Sequence, residues 1–165
     1  MTVDELERYG LEHMDDDEIG KFLSTQDVGV LGLQADDGPY LLPMSYGYDG
    51  DSSLYFTFVT SSSSRKAQLA DPDEPAKFLV YNASSMFAWE SIILTGTVRT
   101  VPESEWDDLD ELLEDVWHPD VFETAGELEG VEIYEFQAAG KTGIKQVGLP
   151  PGFDDRREET SSPEE

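Results

Sequence analysis

The sequence predicts a mainly β protein, a small six-stranded antiparallel barrel with a few short helices, on three observations. Strand-sized apolar segments follow one another from Val28 to Lys145, divided by turn clusters rather than long helices. Helical spacing is confined to short stretches, so the alternation of strands and long helices that builds a doubly wound sheet is missing. The 165 residues, 38% of them hydrophobic, suffice for one domain with a real core.

Each element has its own local reason. Met14–Thr25 (MDDDEIGKFLST) opens with aspartates suited to capping a helix, and Ile19, Phe22 and Leu23 fall on one face. Val28–Val59 holds the turn clusters ADDGP and YDGDSS, which divide it into three strands of an antiparallel meander. A helix of about two turns then ends at ADPDEP, where prolines bar continuation. Ala76–Asn82 (AKFLVYN) reads as a buried strand, and Phe87–Val101 as a longer one with a bulge at Gly96. Pro102 starts a helix running to Asp120, in which Trp106, Leu109, Leu112, Leu113, Val116 and Trp117 form a core stripe. Val131–Lys145 is the last strand, and PPGFDDRREETSSPEE a polar tail. The expected organisation is an N-terminal extension over 1–13, one domain over 14–148 and a polar tail over 149–165.

Charge narrows the function. Ten Lys and Arg stand against 37 Asp and Glu, a formal charge of −27. Such a surface repels phosphodiester backbones and anionic lipid, so neither nucleic acid nor membrane is an expected partner. Two readings of the acidity compete. The acids are spread over loops, helix faces and tail, which favours adaptation to a salty, halophilic cytoplasm over one acidic docking face. The absence of cysteine excludes disulfides, thiolate metal sites and thiol nucleophiles. The charged start MTVDELERYG reads as no secretory signal, and the expected location is cytoplasmic.

Several motifs fail on spacing. Gly140–Thr142 lacks the upstream glycine of a phosphate-binding P-loop, and PMSYG lacks the first glycine of a nucleophile elbow. His13 and His118 have no neighbouring ligand residue, so no metal site is expected.

One segment resists a bland reading. In VTSSSSRKAQLADP, Ser64 is placed to cap a helix whose first residues are Arg65 and Lys66. Cations in a first turn oppose the helix dipole by roughly 0.3–1 kcal/mol each. A phosphate removes the conflict, because helix N–H groups, serine hydroxyls and both cations then converge on one dianion. The competing reading is a polar loop whose cations pair with surrounding acid.

The order of segments resembles a known family. DDEIGKFLSTQDVGVLGL, PYLLPMSYGYDGDSSLYFTF, SRKAQLADPDEPAKFLVY, WESIILTGTVRTV and IYEFQAAGKTGIK, from about Asp16 to Lys145, are similar to the pyridoxamine 5'-phosphate oxidase-like, FMN-binding split-barrel proteins. The likeness is greatest to the branch related to nitroimidazole-resistance proteins. It implies a six-stranded split barrel of the FMN-binding type, with the flavin at a homodimer interface. It carries Met44, Ser45 and Tyr46 to the edge of the flavin ring and Phe56, Thr57 and Phe58 to the strand flanking the ribityl chain. Ser64, Arg65 and Lys66 match the phosphate clamp, and Trp89 and Ser91 the strand reaching across the interface. Family members often carry a histidine near Thr57, and threonine here leaves no obvious acid or base, so the catalytic residues stay unassigned. The implied activity is an FMN-dependent oxidoreductase passing electrons from a nicotinamide donor to a small oxidised substrate. The alternatives are use of the deazaflavin F420 and a non-catalytic flavin-binding module for storage or sensing. The scarcity of cations favours FMN over the more anionic F420.

Overall fold

The structure, a computed structural model, describes residues 2–59, 68–114, 131–150 and 152. Its elements are α1 (Val3–Glu7), β1 (Leu11–His13), α2 (Asp16–Thr25), β2 (Val28–Ala35), β3 (Gly38–Ser45), β4 (Gly47–Tyr48), β5 (Ser53–Val59), β6 (Ala76–Ser85), β7 (Ala88–Thr100), a 3-10 helix (Glu103–Leu109), α3 (Asp110–Glu114) and β8 (Val131–Val147). The strands form one antiparallel sheet in the order β3-β2-β6-β7-β8-β5-β4, with β1 added to the end of β8. Eight strands replace the six expected. The two additions, β1 and β4, have only three and two residues, too few to show alternation in a sequence.

The meander expected over Val28–Val59 is only half formed. β2 and β3 make the hairpin that ADDGP demands, in unbroken register from Val28↔Ser45 to Ala35↔Gly38. The next strand does not pair with β3. Instead β4 and β5 lie at the far end of the strand order, where β5 pairs with β8. The two ends of that order are joined through Tyr46 alone, so the sheet must curl on itself into a barrel. The physical reason is Tyr46, whose ring turns inward and meets Phe78 edge-on at 5.6 Å. Its N–H donates to the Asp27 carbonyl oxygen at 3.0 Å.

The core is what alternation predicts for a sheet with one covered face. Phe78 stacks on Phe56 at 6.0 Å and meets Phe136 at a tilt at 5.8 Å, surrounded by the fully buried Leu31, Val80, Ile92, Leu94 and Val98. α2 closes this core with Ile19, Phe22 and Leu23, all buried as expected. Its start is a capping box: the Asp15 carboxylate accepts from the Glu18 N–H at 2.8 Å, and the Glu18 carboxylate accepts from the Asp15 N–H at 3.2 Å. The bulge at Gly96 is present as a register shift between β7 and β8. A Cβ there would lie 1.9 Å from the Gln137 carbonyl oxygen, so only glycine fits.

A second, smaller cluster joins Val101, Leu109 and Ile133 with Tyr55, Trp106 and Leu113. Here the segment after Pro102 departs from the expected α-helix. It begins as a 3-10 helix and becomes α-helical only over Asp110–Glu114. The tighter winding brings residues i and i+3 onto one line, which aligns Trp106 with Leu109. It also lets the Trp106 indole N–H donate to the Val101 carbonyl oxygen at 3.0 Å. Trp106 is thus a packing residue, as expected; Val116 and Trp117 lie outside the described residues. Beneath this layer the buried Glu135 carboxylate accepts from Ser53 Oγ at 2.7 Å, from the Tyr55 hydroxyl at 3.2 Å and from Arg99 Nε. Of the helix expected before ADPDEP, Gln68 and Leu69 are helical and the rest lies outside the described residues.

Candidate functional site

Among the described residues β3 is an edge strand, paired only with β2. Proline cannot donate to a ladder, so Pro39 and Pro43 must turn their nitrogens away from β2. In an antiparallel strand the peptide groups alternate sides with a period of two. The N–H and C=O of Ser45 therefore face the open edge with those of Leu41, while those of Met44 are committed to the ladder. Of the three residues expected at a flavin edge, Ser45 alone turns its backbone groups away from β2, to a side where no strand pairs among the described residues.

The side chains sort in the same way. Met44 is half-buried and packs against the barrel core, as do Leu69 and Ala70 immediately after the Arg65-Lys66 segment. Tyr46 is only 4% exposed, and its hydroxyl donates to the Leu23 carbonyl oxygen at 2.8 Å. Burial, with the nearby Asp27 carboxylate, pushes that phenol well above the ordinary tyrosine range. Phe56 is fully buried in the aromatic stack. The side chains of Tyr46 and Phe56 belong to the core, so what these two residues could offer a ligand is limited to their backbone. The reason is strand parity: Phe56 faces inward, and Thr57 faces outward beside Tyr55 and across from Ile133. Phe58 takes its register opposite Glu132. Ser64, Arg65 and Lys66 lie outside the described residues.

Ser45, Trp89 and Ser91, which come from distant parts of the chain, share the outer face. Cross-strand pairing builds that face in rows: Pro43, Val30, Leu79, Ile93 and Thr142 in one, and Tyr81, Ser91 and Ile144 in the next. Trp89 follows, opposite Ala83, with its indole N–H donating to Gln146 Oε1 at 3.1 Å. The face is unusually apolar for a surface: Leu41 is 65% exposed, Tyr81 59% and Val28 51%. At its Ser45 end lies a cavity of about 640 Å³ whose lining includes Gln26, Asp27, Val28, Pro43, Tyr81 and Asn82. The sequence had not singled out Tyr81; its signal is an aromatic residue on the outward parity of a strand that is otherwise core.

The described cations are largely engaged. Lys145 pairs with Glu18 at 2.7 Å and Glu12 at 3.7 Å, and Lys141 Nζ donates to the Asp51 carbonyl oxygen at 2.7 Å. The hydrogen bond from Lys145 holds the Glu18 carboxyl below its ordinary range. Among the described residues no group of His, Asp or Glu could hold a metal ion, and no helix is long and apolar enough to cross a membrane.

Solved structures that share this fold include proteins described as flavin-binding. An FAD-binding protein from Mesorhizobium loti is 18% identical, with a TM-score of 0.67 over 84% of this chain and 98% of that one. An FAD and heme binding protein from Mycobacterium smegmatis is 18% identical, with a TM-score of 0.68 over 93% and 81%. A Bacteroides thetaiotaomicron structure described for 5-nitroimidazole antibiotic resistance is 17% identical, with a TM-score of 0.59 over 82% and 89%. No curated protein matches the sequence. The family model for pyridoxamine 5'-phosphate oxidase matches residues 15–145, and the chain belongs to that family.

Proposed function

We propose that the chain is an FMN-dependent oxidoreductase that works as a cytoplasmic homodimer and reduces a small oxidised substrate with electrons from a nicotinamide donor. The observation that carries this reading is the open edge of β3 at Ser45. A donor and an acceptor of the backbone face outward there, beside the half-buried Met44, and suit the polar rim and apolar body of a flavin ring. The Arg65-Lys66 pair, three residues before Gln68, supplies charge for the phosphate. Of the other cations, Lys77, Arg99, Lys141 and Lys145 already bond within the chain.

Bound FMN would supply the electron transfer, and the protein would supply binding, orientation and electrostatics. Ser45 would orient the ring by its backbone. The exposed face bearing Leu41, Val28 and Ile93 supports the dimer, because a second copy would cover it and bring Trp89 and Ser91 to the neighbouring ring.

The test is the spectrum and mass of the molecule that co-purifies, with the Arg65→Ala, Lys66→Ala double variant alongside. Each charge-assisted contact contributes about 1.5–3 kcal/mol, so the variant should lose FMN. Undiminished FMN retention in it would refute the phosphate assignment. A deazaflavin spectrum would replace FMN with F420, and a flavin that no nicotinamide donor reduces would make the protein a binding module.

A further inference from the structure

Gln146 is a buried amide on β8, in a chain that uses 37 Asp and Glu elsewhere. Its Oε1 accepts the Trp89 indole N–H at 3.1 Å, and its Nε2 donates to the Tyr9 carbonyl oxygen at 3.3 Å. We propose that Gln146 is a positioning residue for Trp89, and that the N-terminal segment 2–13 sets the Trp89 ring through it. The proposal rests on the reading that brings Trp89 to a neighbouring flavin ring, and deepens it by naming what holds the indole there.

The chemistry of the two partners leaves the amide one orientation. An indole nitrogen only donates and a carbonyl oxygen only accepts, so a reversed amide would oppose donor to donor and acceptor to acceptor. Glutamate at this position would offer no donor to Tyr9, and an apolar residue would strand both partners. The pair requires a side chain with one accepting end and one donating end. Strand pairing delivers it: Trp89 lies opposite Gln146 on β7, and Leu11 lies opposite it on β1.

The N-terminal segment is anchored on both sides of Tyr9. β1 pairs with β8 from Leu11 to His13, and Glu12 meets Lys145 at 3.7 Å. Leu6 of α1 is buried, and its carbonyl oxygen accepts the Tyr9 N–H at 3.0 Å. Between them Gly10 takes a φ of +77°, a left-handed value that side chains rarely adopt. Because Leu11 is fixed by its pairing, the rotation at Gly10 sets the direction of the Tyr9 peptide group, and so of the carbonyl that holds Gln146. Strain at Gly10 therefore reaches the indole by way of the amide.

The test uses the full chain with the flavin it carries. The indole N–H resonance of Trp89, identified by its loss in Trp89→Phe, reports the first bond without reference to any cofactor. In Gln146→Met, which keeps the volume and removes both polar ends, that proton should exchange with water about tenfold faster. Gly10→Ala should move the same resonance from the far side of the amide, and it carries the test if Gln146→Met does not fold. Flavin content should hold in both variants, while the rate at which NADH or NADPH reduces the bound flavin falls about tenfold. Made in Trp89→Phe, the Gln146→Met change should leave that rate where Trp89→Phe alone puts it. An unmoved indole resonance, or an equal loss of rate with and without Trp89, would overturn the proposal. A colourless protein removes the oxidoreductase reading, and the hold on Trp89 then stands or falls on the resonance alone. A yellow protein whose reduction rate ignores Gln146→Met keeps that reading and overturns the positioning role.

Discussion

The hydroxyl of Tyr46 caps the C-terminal end of α2 through the Leu23 carbonyl oxygen, one of the last four carbonyls that a helix leaves unpaired. The bond ties the helix lid of the barrel to the single residue that joins the two ends of the sheet. Replacing Tyr46 with Phe should cost about 1–3 kcal/mol, because a buried acceptor loses its donor. Chemical denaturation reads that loss. Flavin content should not change, and a variant that folds but sheds its flavin would return Tyr46 to the ligand.

Alkaline stability follows from the same burial. Tyr134, buried and donating to Glu132 Oε2 at 2.8 Å, is pushed up to about 12, and Tyr46 rises further in the same direction. In the unfolded chain both phenols ionise near 10. Below that pH the protonated forms favour the fold fully. Above it only the unfolded chain releases the protons, so stability falls as pH climbs from about 10 towards 12. Thermal melts across that interval should show a drop that shrinks in Tyr134→Phe.

Gly96→Ala places a methyl group against the Gln137 backbone, which cannot yield as a side-chain tip can. We expect a loss of about 3 kcal/mol, at the upper end of overpacking costs, measured by urea titration. Gly140→Ala, whose Cβ would meet nothing nearer than 3.9 Å, serves as the tolerated control.

The buried Glu135 joins β5, β7 and β8 through Ser53, Tyr55 and Arg99. Glu135→Ala should lower stability by about 2 kcal/mol by stranding those donors. Glu135→Gln, which keeps two acceptor lone pairs, should lose less.

Salt should stabilise the protein. With a formal charge of −27, screening relieves more repulsion than it removes attraction, so the melting temperature should rise with potassium chloride. Lys145→Met breaks the pairs to Glu18 and Glu12 and should lower the melting temperature only slightly, because exposed ion pairs contribute little. That cost should fade at high salt.

Much of the barrel was legible in local chemistry. The Asp15 cap, the buried face of α2, the ADDGP hairpin and the Gly96 bulge each rest on residues within a few positions of one another, or on a backbone demand that one glycine declares. The 3-10 winding after Pro102 was not legible, because both helix types place Trp106 and Leu109 on one side. Ser45, Trp89 and Ser91 were readable only as separate segments, and that they share one face of the sheet was not; Arg65 and Lys66 lie outside the described residues. The exposure of Tyr81 was not legible, because it depends on which face of β6 the rest of the chain leaves open.

The sequence by itself determined α2, the longer strands, the charge and the family, since those follow from spacing, composition and segment order. Only the tertiary structure decided that β3 and β4 stand at opposite ends of one curled sheet. It also decided which member of each predicted pair turns outward: Ser45 and not Met44 or Tyr46, Thr57 and not Phe56. Local propensity makes a strand, but side-chain parity acquires an inside and an outside only when distant strands close around a common core.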